Sequence, residues 1–124
     1  MPDIKAYGEI YAATLGLAPT TEIFHDPIQK VRVQFWGGGE SESWIELIEP
    51  AGEDSPVWRI CKKGGGLDHL CYETPDIEKT VQHSLANGGA LVRDLAPAVA
   101  FGGRRIAFLY FLELGLIEFV ETPA

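Results

Sequence analysis

Two apolar periodicities follow one another along this chain, and their order is repeated. From Asp3 to Leu15 the apolar positions Ile4, Tyr7, Tyr11 and Leu15 recur at helical spacing, with Gly16 placed to end the helix. Ile23, Val31, Val33, Phe35, Trp44, Ile45 and Leu47 then mark three short strands, punctuated by Pro27 and the turn residues Gly37-Gly38-Gly39. A second helix-and-strand series follows. Leu67 to Glu73 reads as a strand and 76–87 as a helix, with Ile77, Val81 and Leu85 on one face. Strands are predicted near 90–93, 105–111 and 115–121. Between the two series, Ser55-Pro56-Val57-Trp58-Arg59-Ile60 predicts a short helix with Ser55 as N-cap and Pro56 in its first turn.

The two series share landmarks. Pro2-Asp3-Ile4 and Pro75-Asp76-Ile77 open the two helices, 76 − 3 = 73 residues apart. Ile45-Glu46-Leu47-Ile48-Glu49 returns as Ile117-Glu118-Phe119-Val120-Glu121, 118 − 46 = 72 residues apart. Such spacing argues for two copies of one supersecondary module. The expected fold is α+β, with two βαβββ modules in a single domain over 1–124: module one 1–50, a connector 51–65, module two 66–124. The first module has only Met1 where the second has its opening strand. We expect the reading frame upstream to encode that strand, with a His in the register of His69. An exposed sheet edge recruits partners, so a homodimer is expected.

Composition narrows the function classes. A formal net charge of −8 with ten basic residues disfavours nucleic acid and anionic membrane as partners. No apolar run approaches the roughly 20 residues of a membrane span, and no secretory signal pattern opens the chain. Cys61 and Cys71 match no metal spacing; they are expected as small core residues of a reduced, cytoplasmic protein.

Candidate chemistry lies within the strand pattern. Alternate strand residues share a face. Trp44, Glu46 and Ile48 align on one strand, Leu67, His69 and Cys71 on another, and Leu116, Glu118 and Val120 on a third. Each apolar set carries one residue able to bind a metal or move a proton. A buried carboxylate is unfavourable unless paired or metal-bound, so three such intrusions point to one shared site of Glu46, His69 and Glu118. A solvent face would also accept Glu46 or Glu118, because Glu49 and Glu121 occupy the opposite faces. His25 reads as a turn residue and His83 as a solvent-exposed one. Arg104 and Arg105 follow Gly102-Gly103 at a hairpin, where a guanidinium suits either a substrate carboxylate or a solvated strand end. Tyr110 shares a face with Ile106 and Phe108, as a cavity residue or as core filling.

Several motifs in this order resemble the vicinal oxygen chelate superfamily, the glyoxalase, bleomycin-resistance and dioxygenase group, most of all its methylmalonyl-CoA epimerase-type members. They are Ile45-Glu46-Leu47-Ile48-Glu49-Pro50, Asp54-Ser55-Pro56, Gly66-Leu67-Asp68-His69-Leu70, Pro75-Asp76-Ile77, Gly103-Arg104-Arg105-Ile106-Ala107-Phe108-Leu109 and Leu116-Ile117-Glu118. The resemblance implies paired modules around a divalent metal, with Glu46, His69 and Glu118 at three of four ligand positions and Zn, Co, Ni, Mn or Mg as candidates. It implies a lyase or isomerase acting on a small oxygenated substrate through a metal-stabilised enolate, with Glu46 or Glu118 as the proton-abstracting base and Tyr110 and Arg105 toward the substrate. Three ligands without a fourth lead us to expect weak metal binding. Tyr110-Phe111 stands where epimerases of the group carry His-Pro, and the following Leu112-Glu113-Leu114-Gly115 is unusually apolar. The alternative reading is a non-catalytic protein that sequesters a small molecule, as bleomycin-resistance members do. Dioxygenase chemistry needs a second His and ranks below both.

Overall fold

Asp3 starts the first helix, α1 (Ile4–Leu15), by accepting hydrogen bonds from the backbone N–H groups of Lys5 (2.9 Å) and Ala6 (3.3 Å). Gly16, at φ 67°, ends it in the left-handed conformation that a Cβ disfavours. The computed structural model describes residues 1–37 and 44–124, in two units, Met1–Gly66 and Leu67–Ala124. Gly38 and Gly39 of the expected glycine turn lie outside the described residues.

In the first unit α1 is followed by β1 (Ala18–Pro19), β2 (Phe24–Asp26), β3 (Val31–Gly37) and β4 (Ile45–Pro50). Among the described residues four strands form where three were expected, and His25 sits in β2 rather than in a turn. β3 is the spine: β1 and β2 pair with it, β4 pairs with it too, and every ladder is antiparallel. Two contacts tie the start of α1 to β4. The Met1 amino group donates to the Ile48 carbonyl at 2.8 Å, and the Glu49 carboxylate accepts from the Ile4 N–H at 2.9 Å. Ile4, Trp36 and Leu47 form the core here, with Met1, Tyr11, Leu17 and Ile23 packed around them.

The predicted helical face is rotated. Ile4 and Gly8 are the buried residues of α1, whereas Tyr7 and Leu15 are exposed. Gly8 lies against the Trp36 indole so closely that an added Cβ would overlap the ring. The short helix α2 (Trp58–Lys62) begins later than Ser55 predicts. The Ser55 hydroxyl instead accepts from the Val57 N–H at 3.4 Å, and its carbonyl accepts from Trp58, so the Ser-Pro pair builds a turn ahead of the helix.

The second unit opens with residues 67–69 outside any element, then β5 (Leu70–Thr74), α3 (Ile77–Ala86), β6 (Ala90–Pro97), β7 (Arg105–Phe111) and β8 (Gly115–Glu121). Asp76 caps α3 as Asp3 caps α1, accepting from the Lys79 N–H at 3.0 Å. The sheet order is β5-β8-β7-β6, with β5 parallel to β8 and the remaining pairs antiparallel. Helix α3 covers one face through Ile77, Val81, Ala107 and Leu109. Ala98, Ile106 and Val120 form a second cluster, with Phe101 and Phe108 packed against it. Strand β5 starts three residues after the predicted Leu67, because the backbone before Leu70 forms no ladder. Cys71 is exposed and Cys61 half-buried, so neither is the core thiol that composition suggested. His83 is exposed, as expected. Among the described residues no helix is long and apolar enough to cross a membrane.

The class is therefore α+β, and the two units share two cross-strand pairings. Arg32 pairs with Glu49 across β3 and β4, and Arg105 with Glu121 between β7 and β8. Phe35 lies opposite Glu46, and Phe108 opposite Glu118.

Gly8→Ala tests the close approach of α1 to Trp36. Helix propensity alone would make alanine stabilising by about 1 kcal/mol. Overlap with the indole should reverse that sign, giving a loss of about 1–3 kcal/mol in urea unfolding. A stabilised variant would show that the helix can move off the ring.

Candidate metal centre

The register of β8 decides which of its glutamates is buried. Residues 116, 118 and 120 face away from α3, while Ile117 and Phe119 lie opposite Leu109 and Ala107, which α3 covers. Glu118 thereby enters the apolar face and is only 3% exposed. Its cross-strand neighbours are Phe108 on β7 and Cys71 on β5. His69 lies two residues before Cys71, immediately ahead of β5.

His69 and Glu118 meet. His69 Nε2 lies 3.0 Å from Glu118 Oε1, and His69 Nδ1 lies 2.8 Å from Asp68 Oδ2. The imidazole also packs edge-on against Phe108, with ring centroids 5.1 Å apart. Burial disfavours the imidazolium, but hydrogen bonds to Asp68 and Glu118 and the charges of both carboxylates outweigh it, and the His69 pKa rises to about 10. Both ring nitrogens then donate. Among the described residues no buried side-chain nitrogen or oxygen lacks a hydrogen-bond partner.

This donor set fits a divalent cation. An imidazole nitrogen and a carboxylate oxygen converge on one buried point, 3.0 Å apart. The second ring nitrogen is held by a carboxylate, which fixes the tautomer that a ligating histidine needs. Asp68 was not singled out in the sequence. Strict alternation would place it opposite His69, but that rule applies to strand residues, and Asp68 precedes the strand. The adjacency Asp68-His69 was the available signal.

The other predicted site residues are placed as follows. Glu46 is half-buried on β4 of the first unit, opposite Phe35, at the position that Glu118 holds in the second. Tyr110 lies on the Glu118 face of β7, opposite Leu116, and is 48% exposed. Arg105 lies on the other face, opposite Glu121. Its guanidinium donates to Glu121 (3.2 Å) and Glu78 (2.9 Å), and its backbone N–H also donates to Glu121. Hydrogen bonds from Arg105 hold the Glu121 carboxyl below its usual value, and Glu121, then Glu78, push the guanidinium up. Arg104 donates to the Glu121 carbonyl at 3.1 Å and to the Phe101 carbonyl at 3.2 Å.

A sequence profile of the Glyoxalase/Bleomycin resistance protein/Dioxygenase superfamily matches residues 1–108. The chain is 31% identical over 115 residues to an ethylmalonyl-CoA/methylmalonyl-CoA epimerase of Cereibacter sphaeroides, covering 89% of this chain and 81% of the relative. It is 34% identical over 74 residues to a mitochondrial methylmalonyl-CoA epimerase of Dictyostelium discoideum, covering 58% of this chain but only 44% of that protein. Among solved structures, a hypothetical protein of Bacillus halodurans C-125 superposes with a TM-score of 0.85 at 30% identity, over all of this chain and 89% of its own.

The raised His69 value gives a pH dependence with a definite sign. Its stabilising contribution is present in full below the ordinary imidazole value of 6.5 and is lost as pH rises through about 10. In chelator-treated protein, the stability advantage of wild type over His69→Gln should shrink steadily across that window. Urea unfolding at several pH values measures it. An advantage that grows with pH would mean that His69 folds as a neutral ring.

Proposed function

The chain belongs to the Glyoxalase/Bleomycin resistance protein/Dioxygenase superfamily, and on that premise we propose that it is an epimerase-type isomerase moving a proton at the carbon next to a thioester carbonyl. The observation that carries this reading is the buried His69–Glu118 pair on an apolar sheet face, in a chain similar along most of its length to an ethylmalonyl-CoA/methylmalonyl-CoA epimerase. Those relatives make a substituted malonyl thioester the first substrate to test.

In this reading Glu46, His69 and Glu118 hold a divalent ion, and Glu46 and Glu118 also handle protons. The structural correspondence Phe35/Glu46 and Phe108/Glu118 supports giving the two carboxylates matched roles. One carboxylate takes the α-proton while the electron pair left on carbon delocalises into the carbonyl. The other glutamate, protonated at the start, gives its proton to the opposite face of that carbon; the stereocentre inverts with no redox change, and exchange with solvent restores the two protonation states. A bound divalent cation would supply stabilisation of the negative charge that builds on the carbonyl oxygen. Asp68 holds the His69 ring throughout. Phe108 and its apolar neighbours keep bulk water from the carboxylate, and Tyr110 borders the substrate. We also propose a cytoplasmic homodimer; a monomer by light scattering at high dilution would overturn that assembly.

Solvent deuterium incorporation at the α-carbon of a methylmalonyl thioester, followed by NMR, tests the activity. Wild type should exchange, and Glu118→Gln should slow exchange by about 10²–10⁴-fold with the fold retained. Glu46→Gln should slow it by a similar order. Metal analysis of protein purified without chelators should find bound divalent ion, and His69→Gln should lose it. Stoichiometric binding of an apolar molecule by metal-free protein, with no exchange, would favour the sequestering alternative instead.

A further inference from the structure

We propose that Arg59, Lys62 and Lys63 bind the phosphate groups of a coenzyme A thioester, an assignment that rests on the epimerase reading above and names the carrier of the acyl group. From Ser55 to Leu67 the sequence holds these three cations and no carboxylate, in a chain whose net charge is −8. All three residues are exposed. Helix α2 brings them together. The Lys63 N–H donates to the Arg59 carbonyl at 3.1 Å, so these two stand one turn apart on the same side, and Lys62 adjoins them. The Lys62 ammonium lies 5.3 Å from the centre of the half-buried Trp58 ring, a contact that limits the space it searches. Helix α2 lies against β4, the strand that carries Glu46.

Elsewhere the cations are matched by acids: Lys30 by Asp54, Arg32 by Glu49, Arg105 by Glu78 and Glu121. Among the described residues Arg59, Lys62 and Lys63 have no carboxylate partner. The exposed carbonyls at a helix C-terminus favour a cation in the last turn. That preference does not explain three cations together, nor the exclusion of acids from the whole stretch. Gly64, Gly65 and Gly66 follow at φ 110°, 81° and 114°, with open space where each Cβ would stand. No side chain there screens the flank of the cluster, so a bulky polyanion can approach. Coenzyme A carries a diphosphate and a ribose phosphate at its adenosine end, several negative charges in a small volume. Its flexible pantetheine arm leaves the thioester free to reach the reacting groups. Guanidinium and ammonium groups bind phosphate in charge-assisted hydrogen bonds. The cluster thus raises affinity and speeds encounter without touching the reacting carbon. An acidic carrier protein presents the same arm, but its carboxylates spread over a broad face, whereas these cations fall within five residues.

Coenzyme A itself, without an acyl group, is the probe, titrated calorimetrically into the protein as purified. Wild type should bind it, and added salt should weaken that binding. The triple variant Arg59→Gln, Lys62→Gln, Lys63→Gln should bind about 5- to 100-fold more weakly, as expected for loss of three exposed charge pairs. Lys5→Gln combined with Lys79→Gln removes two exposed cations elsewhere and should bind as wild type does. Methylmalonyl-pantetheine, which lacks the phosphates, should exchange deuterium equally in wild type and triple variant, which also shows that the variant is folded. Wild-type affinity for coenzyme A in the triple variant, binding insensitive to salt, or no binding by wild type overturns the assignment. Faster exchange of the same acyl group on an acidic carrier protein than on coenzyme A overturns it in favour of a protein partner. Exchange without an effect of the triple variant on coenzyme A removes this assignment alone. Salt-sensitive coenzyme A binding that the triple variant weakens, without exchange, removes the epimerase reading alone.

Discussion

The pairing of β7 with β8 is the constraint on which the second unit depends. The pair closes at Phe111 opposite Gly115, where φ is 80°, a conformation that glycine adopts without strain. From that point the register runs without a slip to Ile106 opposite Val120. A one-residue shift would turn Glu118 toward α3 and bring Ile117 onto the His69 face. It would also separate Arg105 from Glu121. The ion pair on one face and the histidine–carboxylate pair on the other are thus set by the same ladder.

A histidine enclosed by two carboxylates is poor material for stability. Removing such groups from water is expensive, and apolar replacements of similar volume are often as stable or more so. The unit accommodates the arrangement by concentrating its packing elsewhere: Ile77, Val81, Ala107 and Leu109 on one side, Ala98, Ile106 and Val120 toward one end of the other. The polar cluster sits between an apolar end and the exposed Tyr110. Selection for chemistry explains that choice better than selection for folding.

Much of this was legible in the chain because the local signals and the tertiary contacts agree. Asp3 and Asp76 cap their helices, Gly16 ends one of them, and β7 and β8 occupy the ranges that alternation predicts. The meeting of His69 with Glu118 is legible as two polar intrusions on apolar strand faces. Departures arise where alternation has no ladder to rest on. Leu67 to His69 continue an apolar pattern but pair with no neighbour, so Asp68 can turn toward its own histidine. The helical face of α1 rotates because Gly8 admits the Trp36 ring, a contact no periodicity rule contains. Arg105 pairs with Glu78 and Glu121, partners that alternation along a single strand does not identify. The register shifts on either side of Arg93 are invisible to a two-residue period, since they consist of breaking that period.

The packing of Trp36 against α1 also has an optical side. All the tryptophans, Trp36, Trp44 and Trp58, belong to the first unit, and the second has none. Indole emission therefore reports the state of Met1–Gly66 alone. Trp36, buried beside Gly8, should carry the blue-shifted part of that emission and Trp44, largely in water, the red-shifted part. The second unit has only Tyr72 and Tyr110 as intrinsic fluorophores, both exposed. A tryptophan installed beside the His69–Glu118 cluster would give that half of the chain its own colour, so that loosening of each unit could be followed in one sample.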